Sequence, residues 1–173
     1  MNEVIKCLET RRSIRKYKQD QISEEDLLQI LEAGTYAATG RGKQSPKIIA
    51  VQDADTIKQL SKLNAAVMGT DSDPFYGAPT LIIVLAEKAV STAVEDGSLV
   101  IGNIMTAAHS LGIGSCWIHR AKEVFALEDG KSLLKKWGID ADKYIGIGNC
   151  ILGYADGDIP EAKPRKQDYI VRI

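Results

Sequence analysis

Histidine and cysteine, the residues from which most transition-metal centres are built, are scarce in this 173-residue sequence. His109 and His119 are the only histidines, and neither stands in a metal-ligand spacing. Cys7, Cys116 and Cys150 are odd in number, far apart and free of any CxxC pair, which argues against a zinc site or a disulfide framework and leaves buried thiols as the expectation. Long hydrophobic runs are missing too. The longest, Leu81 to Ala86, falls far short of the ~20 residues of a membrane-spanning helix, and the N-terminus carries no signal-peptide pattern. A soluble, cytoplasmic protein is expected. Neither sign of charge dominates, with 22 basic against 23 acidic side chains and a formal net charge of −1, so no global field draws nucleic acid or an acidic membrane. Walker phosphate loop and nucleophile elbow are absent. Gly146 and Gly148 begin a GxGxxG-like run, but Ile151 interrupts it and the dinucleotide fingerprint fails. With no repeat, low-complexity tract or linker, residues 1–173 read as one domain, long enough to bury a substantial core.

What the sequence does have is local positive charge. Arg11-Arg12-Ser13-Ile14-Arg15 gathers three guanidinium groups and a hydroxyl, and Lys163-Pro164-Arg165 places two more cations on a proline-stiffened segment near the other end. Guanidinium groups stay charged at any working pH and grip phosphate oxygens in pairs. The two clusters can close on one phosphate, and a solvated basic turn after a short helix is the alternative.

Residues 2–10 carry Val4, Ile5 and Leu8 at helical spacing, and Ser23 followed by Glu24, Glu25 and Asp26 marks the start of a helix expected to reach about residue 38. A polar loop with two glycines and a proline follows over 39–46. Strands are expected over 47–52, 80–86, 115–119 and 144–154, and helices over 54–66, 95–111 and 128–137. The 95–111 helix is so apolar that burial nearly all round is expected, in the core of a monomer or of an oligomer. The aromatic loop 69–79 reads either as a lid or as a packed turn. The tail from 156 is polar and ends in a strand-like stretch, Tyr169 to Ile173.

Four segments together carry more than their spacing does. Arg11 to Arg15, the loop Ala37-Ala38-Thr39-Gly40-Arg41-Gly42-Lys43-Gln44-Ser45-Pro46, the run Ala107-Ala108-His109-Ser110-Leu111-Gly112-Ile113-Gly114-Ser115-Cys116-Trp117-Ile118 and the tail Lys163-Pro164-Arg165 occur in the order found in FMN-dependent nitroreductases, and the chain resembles that family over almost its whole length. The resemblance implies an α+β fold, a three-layer α/β/α sandwich around a central mixed, mainly antiparallel sheet. It implies an intertwined homodimer with FMN in each of two interfacial clefts, and a tail (about 156–173) that extends to the partner subunit. The implied activity is an FMN-dependent oxidoreductase that uses NADH or NADPH to reduce nitroaromatic, quinone or related small-molecule acceptors by ping-pong hydride transfer. A flavin-sequestering protein with little turnover, or a same-fold flavoenzyme of dehalogenase-like chemistry, is the alternative.

Carried over by position, Arg11, Ser13 and Arg15 resemble residues that hold FMN, Arg11 at the phosphate and Arg15 toward the ribityl chain and pyrimidine edge. Arg12 would act largely through its backbone, and Lys163 and Arg165 would complete the phosphate clamp. Ala38, Thr39, Gly40 and Gln44 match a loop that the partner lays beside the flavin, and Trp117, Ile118 and His119 match a strand end near its reactive nitrogen. No dedicated acid or base is implied, although His119 could donate a proton if it faces the cleft. Gly42 and Pro46 depart from the family pattern, where an asparagine and an aromatic are common. The stretch between the first two strands is also short against the family pattern, so the expected active-site cover consists only of the loop from Met68 to Tyr76.

Overall fold

The central apolar run becomes β2 (Thr80–Glu87), and the fold is built on its two faces. Leu81, Ile83 and Leu85 enter one apolar cluster while Ile82, Val84 and Ala86 enter a second, all six fully buried. A strand without alternation is what a sheet covered on both sides requires. In this computed structural model, which describes residues 2–173, β2 lies inside a four-stranded sheet of order β1-β2-β4-β3, with β1 at Pro46–Val51, β3 at Gly114–Ile118 and β4 at Tyr144–Gly153. Every pairing of the named strands is antiparallel, and the parallel element is a single bridge between Ser13 and Ser115.

Helices α2 (Glu24–Thr35) and α4 (Ala93–Ser110) bring Leu27, Ile30, Val100, Ile101 and Ile104 to one face. Helices α3 (Ala54–Met68), α5 (Ala121–Val124) and α6 (Glu128–Lys136) bring Leu60, Val124, Leu133 and Leu134 to the other. The three-layer α/β/α expectation holds. α1 (Glu3–Thr10) lies outside these layers, against α4. Capping fixes the starts: Ser23 Oγ accepts the Asp26 N–H (3.0 Å), and Asp53 accepts the Thr56 N–H (2.8 Å).

The glycines of the failed fingerprint are packing residues. Val84 pairs with Gly148 and Leu85 with Gly146, so Ile147 is the extra residue of a β-bulge. A Cβ on Gly148 would stand 2.7 Å from Ile101 and 2.8 Å from the Trp117 ring, and one on Gly146 would overlap the Ala121 carbonyl.

One expectation needs adjusting, the end of α2, and three readings left open become more definite. α2 stops at Thr35 because Asn103 Nδ2 of α4 donates to the Ala33 carbonyl (3.1 Å) and the Tyr36 and Ala37 N–H groups close short turns there. α4 is not buried all round by its own chain: Leu99 is 50 % exposed, and space lies open beside Gly102. Loop 69–79 is a packed turn, with Phe75 1 % exposed in the core and Asp73 accepting from the Phe75 and Gly77 N–H groups. The strand-like C-terminal stretch forms no strand within its own chain; Tyr169, Ile170, Val171 and Ile173 are largely exposed there.

Candidate functional site: a cationic cavity between the two ends of the chain

The two basic clusters meet because the chain between them is zipped together. α1 ends at Thr10, with the Arg11 N–H donating to the Cys7 carbonyl (3.1 Å). Extended backbone then runs beside β3, where the Ile14 N–H donates to the Ser115 carbonyl (3.0 Å). Tyr17 pairs with Ala155, its hydroxyl donates to the Ile14 carbonyl (2.7 Å), and burial pushes that phenol well above its usual range. The Lys18 N–H donates to Tyr154 (2.9 Å) and the Asp156 N–H to Lys16 (3.0 Å), so the chain leaving β4 is laced to the Arg segment. Residues 160–165 then close a cavity of about 960 Å³ opposite Leu8, Glu9, Arg11, Arg12, Ser13 and Arg15.

Its electrostatics are lopsided. Arg11, Arg12, Arg15, Lys163 and Arg165 all line it, and among the described residues none of the five lies within ion-pair distance of a carboxylate. Arg12 is committed to the backbone, donating to the Glu9 (2.7 Å) and Arg11 (2.8 Å) carbonyls at the end of α1. Arg165 donates to the Lys163 carbonyl from Nε (3.2 Å) and Nη2 (2.7 Å), which curls the tail. Arg11 Nη1 is buried without a hydrogen-bond partner. Behind it, His109 Nε2 lies 2.9 Å from Thr10 Oγ1, and its imidazole is held below the usual range, first by burial and then by the Arg11 and Arg12 charges. A buried guanidinium nitrogen left without a partner among further cations is costly unless an anion completes it. Fork-shaped donors with a serine hydroxyl match the oxygens of a phosphate.

The remaining expected site residues lie elsewhere on the protomer. Thr39 and Gln44 line a second cavity of about 360 Å³ with Pro46 and Val100. Their loop, which also holds Ala38, tightens into a single 3-10 turn at Gly40–Gly42, where Arg41 (φ 56°), Gly42 (63°) and Gln44 (50°) adopt left-handed backbone. Trp117 is half-buried against Gly148, Ile118 is buried, and His119 is exposed just past β3. None of these borders the cationic cavity; β3 links the two regions, since Ser115 pairs with Ser13 two residues before Trp117. The loop from Met68 to Tyr76 does not border the cationic cavity either, and Asp71, Ser72 and Asp73 line a separate hollow with Gln19, Gln52 and Lys58. Sequence reasoning missed Asp96, buried in the first turn of α4 with the Gly40 N–H on its Oδ1 (2.9 Å). Its signal was there: a carboxylate in so apolar a helix must find donors when buried.

Among the described residues no cluster of three or more His, Cys, Asp or Glu could hold a metal, and no helix is long and apolar enough to cross a membrane. The architecture therefore defines a class: a three-layer α+β domain on an antiparallel four-stranded sheet, with an unpaired cationic cleft formed where the ends of its chain meet. The family model described as the nitroreductase family matches residues 8–154, and the chain belongs to that family. A protein of Archaeoglobus fulgidus assigned by name to the NADH dehydrogenase/NAD(P)H nitroreductases is 36% identical over 123 residues, covering 68% of each chain. The FMN reductase [NAD(P)H] of Bacillus subtilis is 31% identical over 132 residues, covering 66% of this chain and 53% of its own. The crystal structure of a nitroreductase with bound FMN from Bacteroides fragilis superposes with a TM-score of 0.92 at 30% identity, covering 100% of both chains.

Proposed function

We propose that the protein is an FMN-dependent oxidoreductase that uses NADH or NADPH to reduce small organic acceptors such as nitroaromatics and quinones, with its cationic cavity as the FMN phosphate site. The observation that carries this reading is a cavity lined by five cations without carboxylate partners, one of which, Arg11, keeps its buried Nη1 without a hydrogen-bond partner. FMN supplies the hydride-accepting and hydride-donating ring, while the protein supplies binding, orientation and charge.

Arg11 and Arg165 grip the phosphate, with Lys163 adding a point charge and Ser13 a hydroxyl. Arg15, exposed at the cavity edge, provides a fixed cation that favours negative charge developing on the reduced ring. Arg12 holds the end of α1 through its two carbonyl contacts and acts on the site through the backbone. The protein works as a homodimer. The half of the expected site formed by Ala38, Thr39, Gly40 and Gln44 lies apart from the cavity in one protomer, so a second protomer brings its copy of that loop to the ring. Trp117, Ile118 and His119 approach the ring from the end of β3. The uncovered side of α4 around Leu99 and Gly102, the exposed Val4 and Leu8 of α1 and the exposed tail residues provide the apolar surface for that assembly.

The purified protein should be yellow or take up FMN, and the flavin absorbance should bleach on anaerobic addition of NADH or NADPH and return with a quinone or nitroaromatic. Protein that neither retains nor takes up FMN would refute the proposal, and bound flavin with negligible turnover would leave a flavin binder and not an enzyme.

A further inference from the structure

We infer that Asp96 is the positioning residue of the Thr39–Gln44 loop, and so shapes the flavin site of the facing subunit; the inference rests on the functional reading above. Asp96 is 3 % exposed and sits where the N-terminal dipole of α4 favours negative charge. Its Oδ1 accepts the Gly40 N–H (2.9 Å), and its Oδ2 accepts the Thr92 hydroxyl (3.1 Å) and the Ser45 hydroxyl (3.4 Å). One carboxylate thus ties both ends of the loop to the core helix. Gly40 is required at the near end, because a Cβ there would overlap the Thr92 hydroxyl.

Between these anchors the backbone is held in conformations that non-glycine residues adopt at a cost, Arg41 at φ 56° and Gln44 at φ 50°. Such strain persists only where the surroundings over-determine it. Within the loop the one side-chain bond is that of Thr39 Oγ1, which accepts the Gln44 N–H (3.1 Å). Arg41, Lys43 and Gln44 are exposed, so no packing replaces the carboxylate. A carboxylate suits the place because its two oxygens accept all three donors at once, whereas an asparagine offers a single acceptor oxygen.

The test compares wild type, Asp96→Asn and Ser45→Ala as FMN-loaded protein. Arg41 and Lys43 make the loop a substrate for trypsin once it opens, so native-state cleavage after these residues reads the anchor directly. Asp96→Asn should raise that cleavage rate about tenfold, weaken FMN binding at least about threefold, and shift the visible flavin spectrum. Ser45→Ala, which keeps the buried carboxylate, should change all three in the same direction by less, and it carries the test if Asp96→Asn fails to fold. Unchanged cleavage overturns the inference, as does a loosened loop with wild-type FMN affinity and spectrum. Wild-type protein that takes up no FMN overturns the functional reading instead, with the tryptic comparison still reporting the anchor.

Discussion

Replacing Arg11 with methionine separates the cavity's function from the protein's stability. Methionine keeps an unbranched stem to fill the space and removes the guanidinium, whose Nη1 is buried without a partner. No internal hydrogen bond of that side chain is lost, so the cofactor-free variant should unfold at the wild-type temperature or slightly above it. The bound state should behave differently. Hydrogen bonds involving a charged group contribute about 1.5–3 kcal/mol each, and about 1.4 kcal/mol is a decade in affinity. Loss of one such contact should therefore weaken FMN roughly 10- to 150-fold, and loss of a bidentate pair by more. Riboflavin, which has the ring without the phosphate, should bind the variant and the wild type alike. Fluorescence titration with both flavins, alongside thermal melts without cofactor, makes the comparison. A variant that binds FMN as wild type does would refute the phosphate assignment, as would one that loses riboflavin equally or melts several degrees lower.

The folded chain holds fewer protons on His109 than the unfolded chain, because burial and then the Arg11 and Arg12 charges lower its pKa from 6.5. Its contribution to stability is therefore present above about pH 6.5 and declines as pH falls through that value. The melting temperature of His109→Gln should fall less than that of wild type between about pH 7 and 5.5, and bound FMN, by offsetting the arginine charge, should narrow the gap; identical slopes would contradict this. Gly146→Ala drives a methyl into the Ala121 carbonyl and should cost on the order of 3 kcal/mol, seen as a lower urea midpoint; a cost under about 0.5 kcal/mol would show that the close approach of β4 to α5 yields easily. Deleting residues 169–173 removes exposed Tyr169, Ile170, Val171 and Ile173 and should shift sedimentation toward monomer, with FMN affinity falling in step; an unchanged dimer would free the tail of that role.

The four strands were legible because consecutive apolar residues in short runs, bounded by glycine or polar loops, have few alternatives in a chain of this size. Helix ends were less so, since a contact from another element decides them: Asn103 of α4 sets the end of α2. Helix α5, at four residues, is too short to show any period. For a related reason the sequence left the cover of α4 open between its own chain and an oligomer, because apolar content reports that a helix wants cover and not what covers it. In the cavity, Arg11, Arg15, Lys163 and Arg165 stood out as like charges clustered near the two ends of the sequence, and although Glu9 and Glu161 also line the cavity, neither pairs with them. Asp96 did not stand out, because its partners Gly40 and Ser45 lie more than fifty positions away. The sequence left the loop around Phe75 open between a lid and a packed turn, and the packed turn is what forms: Asp73 folds the loop inward and Phe75 plugs the core.

The central claim is that the two ends of the chain clamp one phosphate, and a crystal structure of the protein with FMN tests it most directly. The account predicts the phosphate inside the cavity, within hydrogen-bond distance of the Arg11 and Arg165 guanidinium groups, and the ring beside the Thr39–Gln44 loop of the second subunit. FMN bound with its phosphate away from both arginines, or entirely within one protomer, would contradict it.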